Sequence, residues 1–340
     1  MSGFERVFVL LAAAVPTAMD MAGAAETSRP VSTYSIVARD PDTGELGVAV
    51  QSHWFSVGSV VPWAEAGVGA VATQSFVEPS YGPLGLEAMR RGTSAPAALA
   101  QLLAKDDQRE LRQVAMVDSL GRVGVHTGGK CIPFAGHRTG PGYSVQANLM
   151  LTDEVPDAMA RAYESARGAL AERLLAALEA AQAVGGDIRG KQSAALLVVR
   201  ATPTKKPWTD RLVDLRVEDS DRPLEELRRL LALHRAYERM NRGDEMVAAG
   251  KIEEAMAHYQ AAEEMFPGND EFVFWHAVTV ASAGRIEEAL PLFGRAFRMN
   301  PAWMLLVPRL PAVGQLPETP GLVEKILGAG PKPFPPNPSP

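Results

Sequence analysis

Residues 33–52, TYSIVARDPDTGELGVAVQS, constrain the fold more than any other stretch of this chain. Tyr34, Ile36 and Ala38 alternate with Ser35, Val37 and Arg39, the two-residue period of a strand with two distinct faces. Asp40, Pro41, Asp42, Thr43 and Gly44 follow as turn residues, and residues 46–50 then run apolar. A return strand without a polar face is stable in the middle of a sheet that is covered on both sides. The first requirement on the fold is therefore layered: a central hairpin with a packed layer on each face.

The rest of the first two hundred residues supplies those layers. Residues 60–63 and 67–73 are short β-like runs around a turn at Glu65, Ala66 and Gly67. Residues 74–83 carry Pro79 and Pro83 and read as a polar loop leaving a strand end, a common location for a site. A helix is expected over 84–91, stopped at Gly92, and a second over 95–105 with Ser94 as its cap and Pro96 in its first turn. Residues 114–118 and 122–126 form a second hairpin. Two glycine-rich loops, 127–133 and 136–142, precede a strand that begins at Tyr143. Residues 156–181 read as one long helix, with Met159, Ala162, Ala166, Leu170, Leu174 and Leu178 facing a core. Central strands are expected at 194–199 and 212–217. No strand leads through G-x-G-x-x-G into a helix and no G-x-x-x-x-G-K-[ST] loop occurs, so this is not a doubly wound nucleotide fold.

From residue 223 the pattern is helical only. Gly243, Gly250, Ala255, Tyr259, Ala262 and Pro267 recur 34 residues later as Ala277, Gly284, Ala289, Phe293, Ala296 and Pro301. Small residues let two helices approach, and the aromatic fills the space between them. A period of 34 with this content is similar to the tetratricopeptide pattern of paired helices. Such arrays present a concave binding surface, although two units also suffice simply to stabilise a neighbouring domain or to hold a homo-oligomer together. The Leu-rich helix before them is expected to pack as a cap.

Composition and the termini bound the function classes. A chain of 340 residues can hold two cores. The formal charge of −6 is spread over short patches without a basic stripe, so no nucleic-acid partner is expected. A single cysteine, Cys131, excludes an internal disulfide framework and a cysteine-rich zinc site. Residues 1–24 read as a signal peptide: Arg6, an apolar run over 7–15, and an Ala22-Gly23-Ala24 cleavage site. That implies a periplasmic or secreted protein; without the signal the chain would be cytoplasmic. The run is too short to span a bilayer. Residues 25–32 would then be a linker or propeptide, and residues 331–340 are a proline-rich tail without core-forming content. None of the six histidines forms a recognised metal motif. His126, Cys131 and His137 lie close in sequence but fit no closed zinc spacing, so neither a metal nor a cofactor is expected.

The segments TYSIVARDPDTGELGVAVQSHWFSVGSVVPW, GVGAVATQSFVEPSYGPLGLEAMRRG, AMVDSLGRVGVHTGGKCIPFAGH, GYSVQANLM and GDIRGKQSAALLVVR together resemble the DUF1028 family. That family is grouped with the N-terminal-nucleophile hydrolases. The resemblance implies an α+β, four-layer αββα sandwich over 33–217, followed by an all-α tetratricopeptide-like domain over 218–330. The helical part is similar to a region that accompanies the family under a peptidoglycan-binding label. The implied activity is hydrolysis of an amide in a small or peptide-like substrate, with a cell-wall fragment as a candidate if the protein is exported. The alternative is a non-catalytic binding or scaffold protein that holds peptidoglycan or peptides through its helical repeats.

The resemblance also assigns residues. Hydrolases of this superfamily use the first residue of the mature chain as nucleophile and its free α-amine as base. Thr33 matches by its position at the start of the first strand, but it is preceded by 32 residues. The chemistry then needs a cut between Ser32 and Thr33; otherwise Thr33 is an ordinary β-branched strand residue. Ser35 is the alternative hydroxyl. His53, after the second strand, would serve as base if no α-amine is freed, and is otherwise a structural or solvated histidine. Asn148 matches an oxyanion donor, or is a buried turn-forming asparagine. Gln74 and Ser75 would line the pocket. Glu78 is a binding carboxylate or a turn cap. Arg189 binds a substrate carboxylate or pairs internally with Asp187.

Overall fold

The computed structural model describes residues 33–331. The expected signal peptide (1–24), the spacer 25–32 and the proline-rich tail from 332 onward lie outside the described residues. The chain begins with strands β1 (Thr33–Arg39), β2 (Leu46–Ser52), β3 (Pro62–Glu65) and β4 (Gly69–Ser75). Helices α1 (Tyr81–Arg90) and α2 (Ala95–Leu103) lead to β5 (Arg112–Asp118), β6 (Val123–Thr127), β7 (Gly136–Gly140) and β8 (Tyr143–Ala147). Then come α3 (Val155–Ser165), α4 (Leu170–Ala183), β9 (Ser193–Val199) and β10 (Arg211–Val217). The remainder is helical: α5 (Pro223–Ala248), α6 (Ile252–Met265), α7 (Asp270–Ser282), α8 (Ile286–Met299), α9 (Trp303–Leu306) and α10 (Leu322–Gly328). A mixed α+β part is thus followed by an all-α part.

The strands form two antiparallel sheets, one ordered β10-β9-β2-β1-β8-β7 and one ordered β3-β4-β5-β6. The hairpin β1–β2 occupies the centre of the larger sheet, and every residue of β2 is buried. Its turn is held as the turn residues require. Asp40 Oδ1 accepts from the backbone N–H groups of Asp42 and Thr43 at 2.9 Å each, and Gly44 takes φ +76°.

Strand alternation divides the side chains between cores. Tyr34, Ile36, Ala49, Val145 and Leu196 point to the face covered by α3 and α4. Val37, Val48, Val50, Ala72, Ala115 and Leu197 point the other way and meet between the sheets. Val71, Val114 and Met116 pack beneath α1 and α2 on the far side of the smaller sheet.

The structure departs from the sequence expectations in definite places. Residues 156–181 do not form one helix: the chain breaks after Ser165 and turns at Gly168, φ +103°, before α4 begins. That break folds α3 back against α4, so both cover the same sheet. The second glycine-rich segment is not a loop but β7, an edge strand paired with β8. β10 is also an edge strand, with alternating exposure, rather than a central one. Residues 74–83 are not wholly irregular. Gln74 and Ser75 complete β4, and Pro83 sits in the first turn of α1, where no backbone donor is needed.

Helix α5 is shared between the two parts. Leu224, Leu227 and Leu231 of its first half bury against the sheet core, while Ala236, Met240 and Met246 of its second half enter a helical core with Tyr259 and Phe272. It is therefore not simply a cap on the helices that follow. Arg235 and Arg228 bind Glu172 and Glu179 of α4, so ion pairs join the same surfaces. The 34-residue correspondence has structural counterparts. Gly250 and Gly284 both end a helix at positive φ, and Ala255, Ala289, Ala262, Ala296, Tyr259 and Phe293 are all fully buried. At Gly243 a Cβ would stand 2.5 Å from the Tyr259 ring, which explains the small residue.

Candidate functional site

The space between the sheets is apolar over most of its area and polar at one end. Thr33 and Ser35 of β1 share that end with Ser52 of β2, Gln74 of β4, Gln113 of β5, Ser144 and Gln146 of β8, and Ser193 of β9. All are fully buried. Register aligns them: Thr33 lies opposite Ser52, which lies opposite Ser193, and Ser35 lies opposite Gln146. In the smaller sheet Gln74 lies opposite Gln113. Groups this deep require partners, because an unpaired buried donor or acceptor costs about 1–3 kcal/mol.

The partners come from both sheets. Ser35 Oγ donates to Gln74 Oε1 at 2.5 Å and accepts from Gln146 Nε2 at 2.6 Å. Gln74 Nε2 donates to Gln113 Oε1 at 2.7 Å and to the Thr33 carbonyl at 3.1 Å. Gln113 is the hub. Its Oε1 also accepts from Asn148 Nδ2 at 3.0 Å, while its Nε2 donates to Thr127 Oγ1 and the Ala147 carbonyl, both at 2.9 Å. The result is a neutral network of amides and hydroxyls that bridges the sheets.

Thr33 sits at the edge of this network. Its Oγ1 donates to Ser52 Oγ at 3.2 Å, and its carbonyl accepts from the Asn148 backbone N–H at 3.1 Å. Asn148 Nδ2 lies 3.5 Å from the same carbonyl, so this amide group is engaged by Gln113 and Thr33. Among the described residues Asn148 Oδ1 has no hydrogen-bond partner, and Ser75 Oγ has none beyond the neighbouring Cys131 thiol. Ser75 and the residue after Asn148, Leu149, both adopt positive φ, +70° and +57°. These are costly conformations for residues other than glycine, and in both cases they occur where a strand ends beside Thr33 or its network.

The other sequence candidates fall at the rim or outside. His53 follows Ser52, but its side chain is exposed, and its backbone N–H donates to Asp187 Oδ2 at 3.1 Å. No hydrogen bond of its ring is found among the described residues. Glu78 acts as a turn cap: its Oε1 accepts from the Ser80 backbone N–H at 3.1 Å, and its carbonyl accepts from Thr73 Oγ1 at 3.1 Å. Arg189 pairs with the buried Asp187 carboxylate, Nη2 to Oδ2 at 2.7 Å. Asp187 thus ties the loop before β9 to the end of β2. The sequence reading gave no role to Gln113, Gln146 or Ser144. The available signal was a glutamine late or early in each of several otherwise apolar strands, at Gln51, Gln74, Gln113 and Gln146.

The side chains considered for a metal each contact another group. His126 Nε2 contacts the Arg109 carbonyl at 2.8 Å, His137 Nδ1 contacts Thr127 Oγ1 at 2.9 Å, and Cys131 Sγ contacts the Arg112 carbonyl at 3.4 Å. Burial, with Arg138 and His126 nearby, lowers the His137 pKa, while burial raises that of the Cys131 thiol. Among the described residues no three His, Cys, Asp or Glu side chains are grouped to hold a metal ion. No helix among them is long and apolar enough to cross a membrane.

Residues 33–227 match the family described as "Family of unknown function (DUF1028)", a match that begins at Thr33 and covers more than half of the sequence. The chain belongs to this family. It is also similar to the crystal structure of protein SPO2555 from Silicibacter pomeroyi, itself assigned to DUF1028. The two share 30% identity and a TM-score of 0.53, over 59% of this chain and 88% of the other. Among curated proteins, nothing matches the chain.

Proposed function

We propose that residues 33–217 form a four-layer αββα domain of the N-terminal-nucleophile hydrolase type, and that it hydrolyses an amide bond in a small or peptide-like substrate. The observation that carries this reading is the position of Thr33. It is the first residue of the central strand, its hydroxyl lies beside Ser52, and its carbonyl is gripped by the Asn148 backbone and the Gln74 side chain. A nucleophile held by its main chain is oriented by its backbone, so that its hydroxyl need only release Ser52 to react.

A cut between Ser32 and Thr33 would free the α-amine. That amine would take the Thr33 hydroxyl proton as Oγ1 bonds to the substrate carbonyl carbon, and would return it to the leaving nitrogen as the C–N bond breaks. Water would then hydrolyse the resulting ester. Asn148 is the side-chain candidate for the oxyanion, and it would have to release Gln113 or Thr33 to donate there. Gln74 and Ser75 would line the pocket, with His53, Glu78 and Arg189 outside the chemical step.

The test is N-terminal sequencing of the purified protein, combined with turnover of an amide panel by wild type and Thr33→Ala. A chain beginning at Thr33, with turnover lost at least a thousandfold in the variant, is expected. Equal turnover in Thr33→Ala would sink the assignment. A second reading is favoured by the neutrality of the network: the side chains that bridge the sheets around Thr33 are amides and hydroxyls. On that reading the domain is non-catalytic, and the paired helices over 218–330, read as tetratricopeptide-like, carry a binding function.

A further inference from the structure

The second half of α5, helix α7 and residues 310–315 enclose a groove of about 780 Å³. Its lining mixes aromatic and apolar side chains, Tyr237 and Trp275 among them, with polar ones, and Phe272 lies fully buried behind it. The Tyr237 and Phe272 rings meet edge to face at 4.9 Å. Two carboxylates, Asp244 and Glu271, open into it, and no lysine or arginine lines it.

Both carboxylates are oriented by a phenol. Tyr259 Oη donates to Asp244 Oδ1 at 2.7 Å, and Tyr237 Oη donates to Glu271 Oε2 at 2.6 Å. Burial, followed by the bond to Asp244, raises the Tyr259 pKa, so the phenol remains a donor. One oxygen of each carboxylate is left for another donor. Several acids on the surrounding helices, Glu238, Glu245, Glu253 and Glu263, each bind an arginine, whereas Asp244 and Glu271, like Asp270 and Glu264, have no cationic partner among the described residues.

We infer that this groove binds a peptide segment through a lysine or arginine side chain, whose cationic end is held by Asp244 and Glu271 against the aromatic wall. A cation over aromatic rings gains from their quadrupoles, and its alkyl stem suits the apolar surface. The groove is larger than one side chain requires, and the Asn241 and Gln315 amides that line it provide donors and acceptors for peptide groups. The inference rests on the reading of the paired helices as a binding surface and is independent of Thr33.

The test immobilises the full chain and offers it three pools of acetylated, amidated nonapeptides. Their central residue is lysine, norleucine or glutamate, and their other positions are randomised over apolar and neutral polar residues. Retention is measured for wild type, Asp244→Asn/Glu271→Gln, Trp275→Ala and Thr33→Ala. The lysine pool should be retained at least tenfold over the norleucine pool. That preference should vanish in the double variant, weaken in Trp275→Ala and persist in Thr33→Ala. Asp244→Asn alone, at an exposed position, repeats the test if the double variant loses helicity. Equal retention of lysine and norleucine pools would overturn the cation assignment while leaving a binding surface. Retention of no pool would overturn both, and loss of the preference in Thr33→Ala would move the site to the sheets.

Discussion

Gln113→Met is the most direct probe of the inter-sheet network. Methionine keeps the length and approximate volume of glutamine but supplies none of its strong hydrogen bonds. Gln74 Nε2 would still have the Thr33 carbonyl at 3.1 Å. Asn148 Nδ2 would keep only its 3.5 Å contact to that carbonyl, and the Ala147 carbonyl would lose its 2.9 Å side-chain donor. Two buried groups that lose their best partners cost roughly 2–6 kcal/mol in total. Burying the less polar side chain offsets about 1 kcal/mol of this, which leaves a loss of about 1–5 kcal/mol. For a domain of this size that corresponds to a fall in Tm of about 2–20 °C. Differential scanning calorimetry of the wild type and variant measures it. Thr127→Val, which removes a single hydroxyl partner of Gln113, serves as the control and should cost about 1 kcal/mol. A Gln113→Met shift no larger than that of Thr127→Val would refute the view of Gln113 as the hub that joins the sheets.

Two further outcomes test other parts of the fold. Burial alone would raise the Asp118 pKa, but donation from the backbone of Ala95, Arg122 and Leu120 and from the Arg122 side chain holds it below the ordinary carboxylate value. Its contribution is therefore present above the unfolded-state value, near pH 4, and is lost as pH falls through the lower folded value. Asp118→Asn should cost about 1–3 kcal/mol at neutral pH, and the difference from wild type should shrink in urea titrations below about pH 4. A pH-independent difference would contradict the linkage. Gly243→Ala gains up to about 1 kcal/mol of helix propensity, yet its Cβ would meet the Tyr259 ring at 2.5 Å. A net loss of about 1–3 kcal/mol is expected from overpacking, measured by thermal unfolding, and a stabilised variant would show that α5 and α6 can separate at no cost.

Much of the layering was legible in local patterns. The alternation of Tyr34, Ile36 and Ala38 with Ser35 and Val37, followed by the apolar run to Val50, required a sheet covered on both faces, and β1–β2 occupies such a place. The 34-residue correspondence from Gly243 to Pro301 likewise placed the small and aromatic residues that bury between α5 and α8. These signals survive in one dimension because burial on a strand or helix face repeats with the period of the element. Edges and breaks were less visible. A glycine-rich strand such as β7 has no apolar period, and the break at Gly168 lies inside a helix-forming composition.

Sequence by itself determined which residues face together within one element, since that depends only on backbone geometry. Tertiary structure decided which elements face each other, and with that the nature of the candidate site. Gln74, Gln113 and Gln146 are spread over three strands and two sheets, and nothing in their local sequence reports their distances. Facing the sheets brings them to hydrogen-bond range around Thr33 and commits Asn148 to the network, while His53, one residue beyond Ser52, turns its side chain to solvent. The deciding factor is the cost of leaving buried amides unpaired: partners within each sheet satisfy part of their bonding, and the rest comes from the opposite sheet, set by packing across the interior rather than by order along the chain.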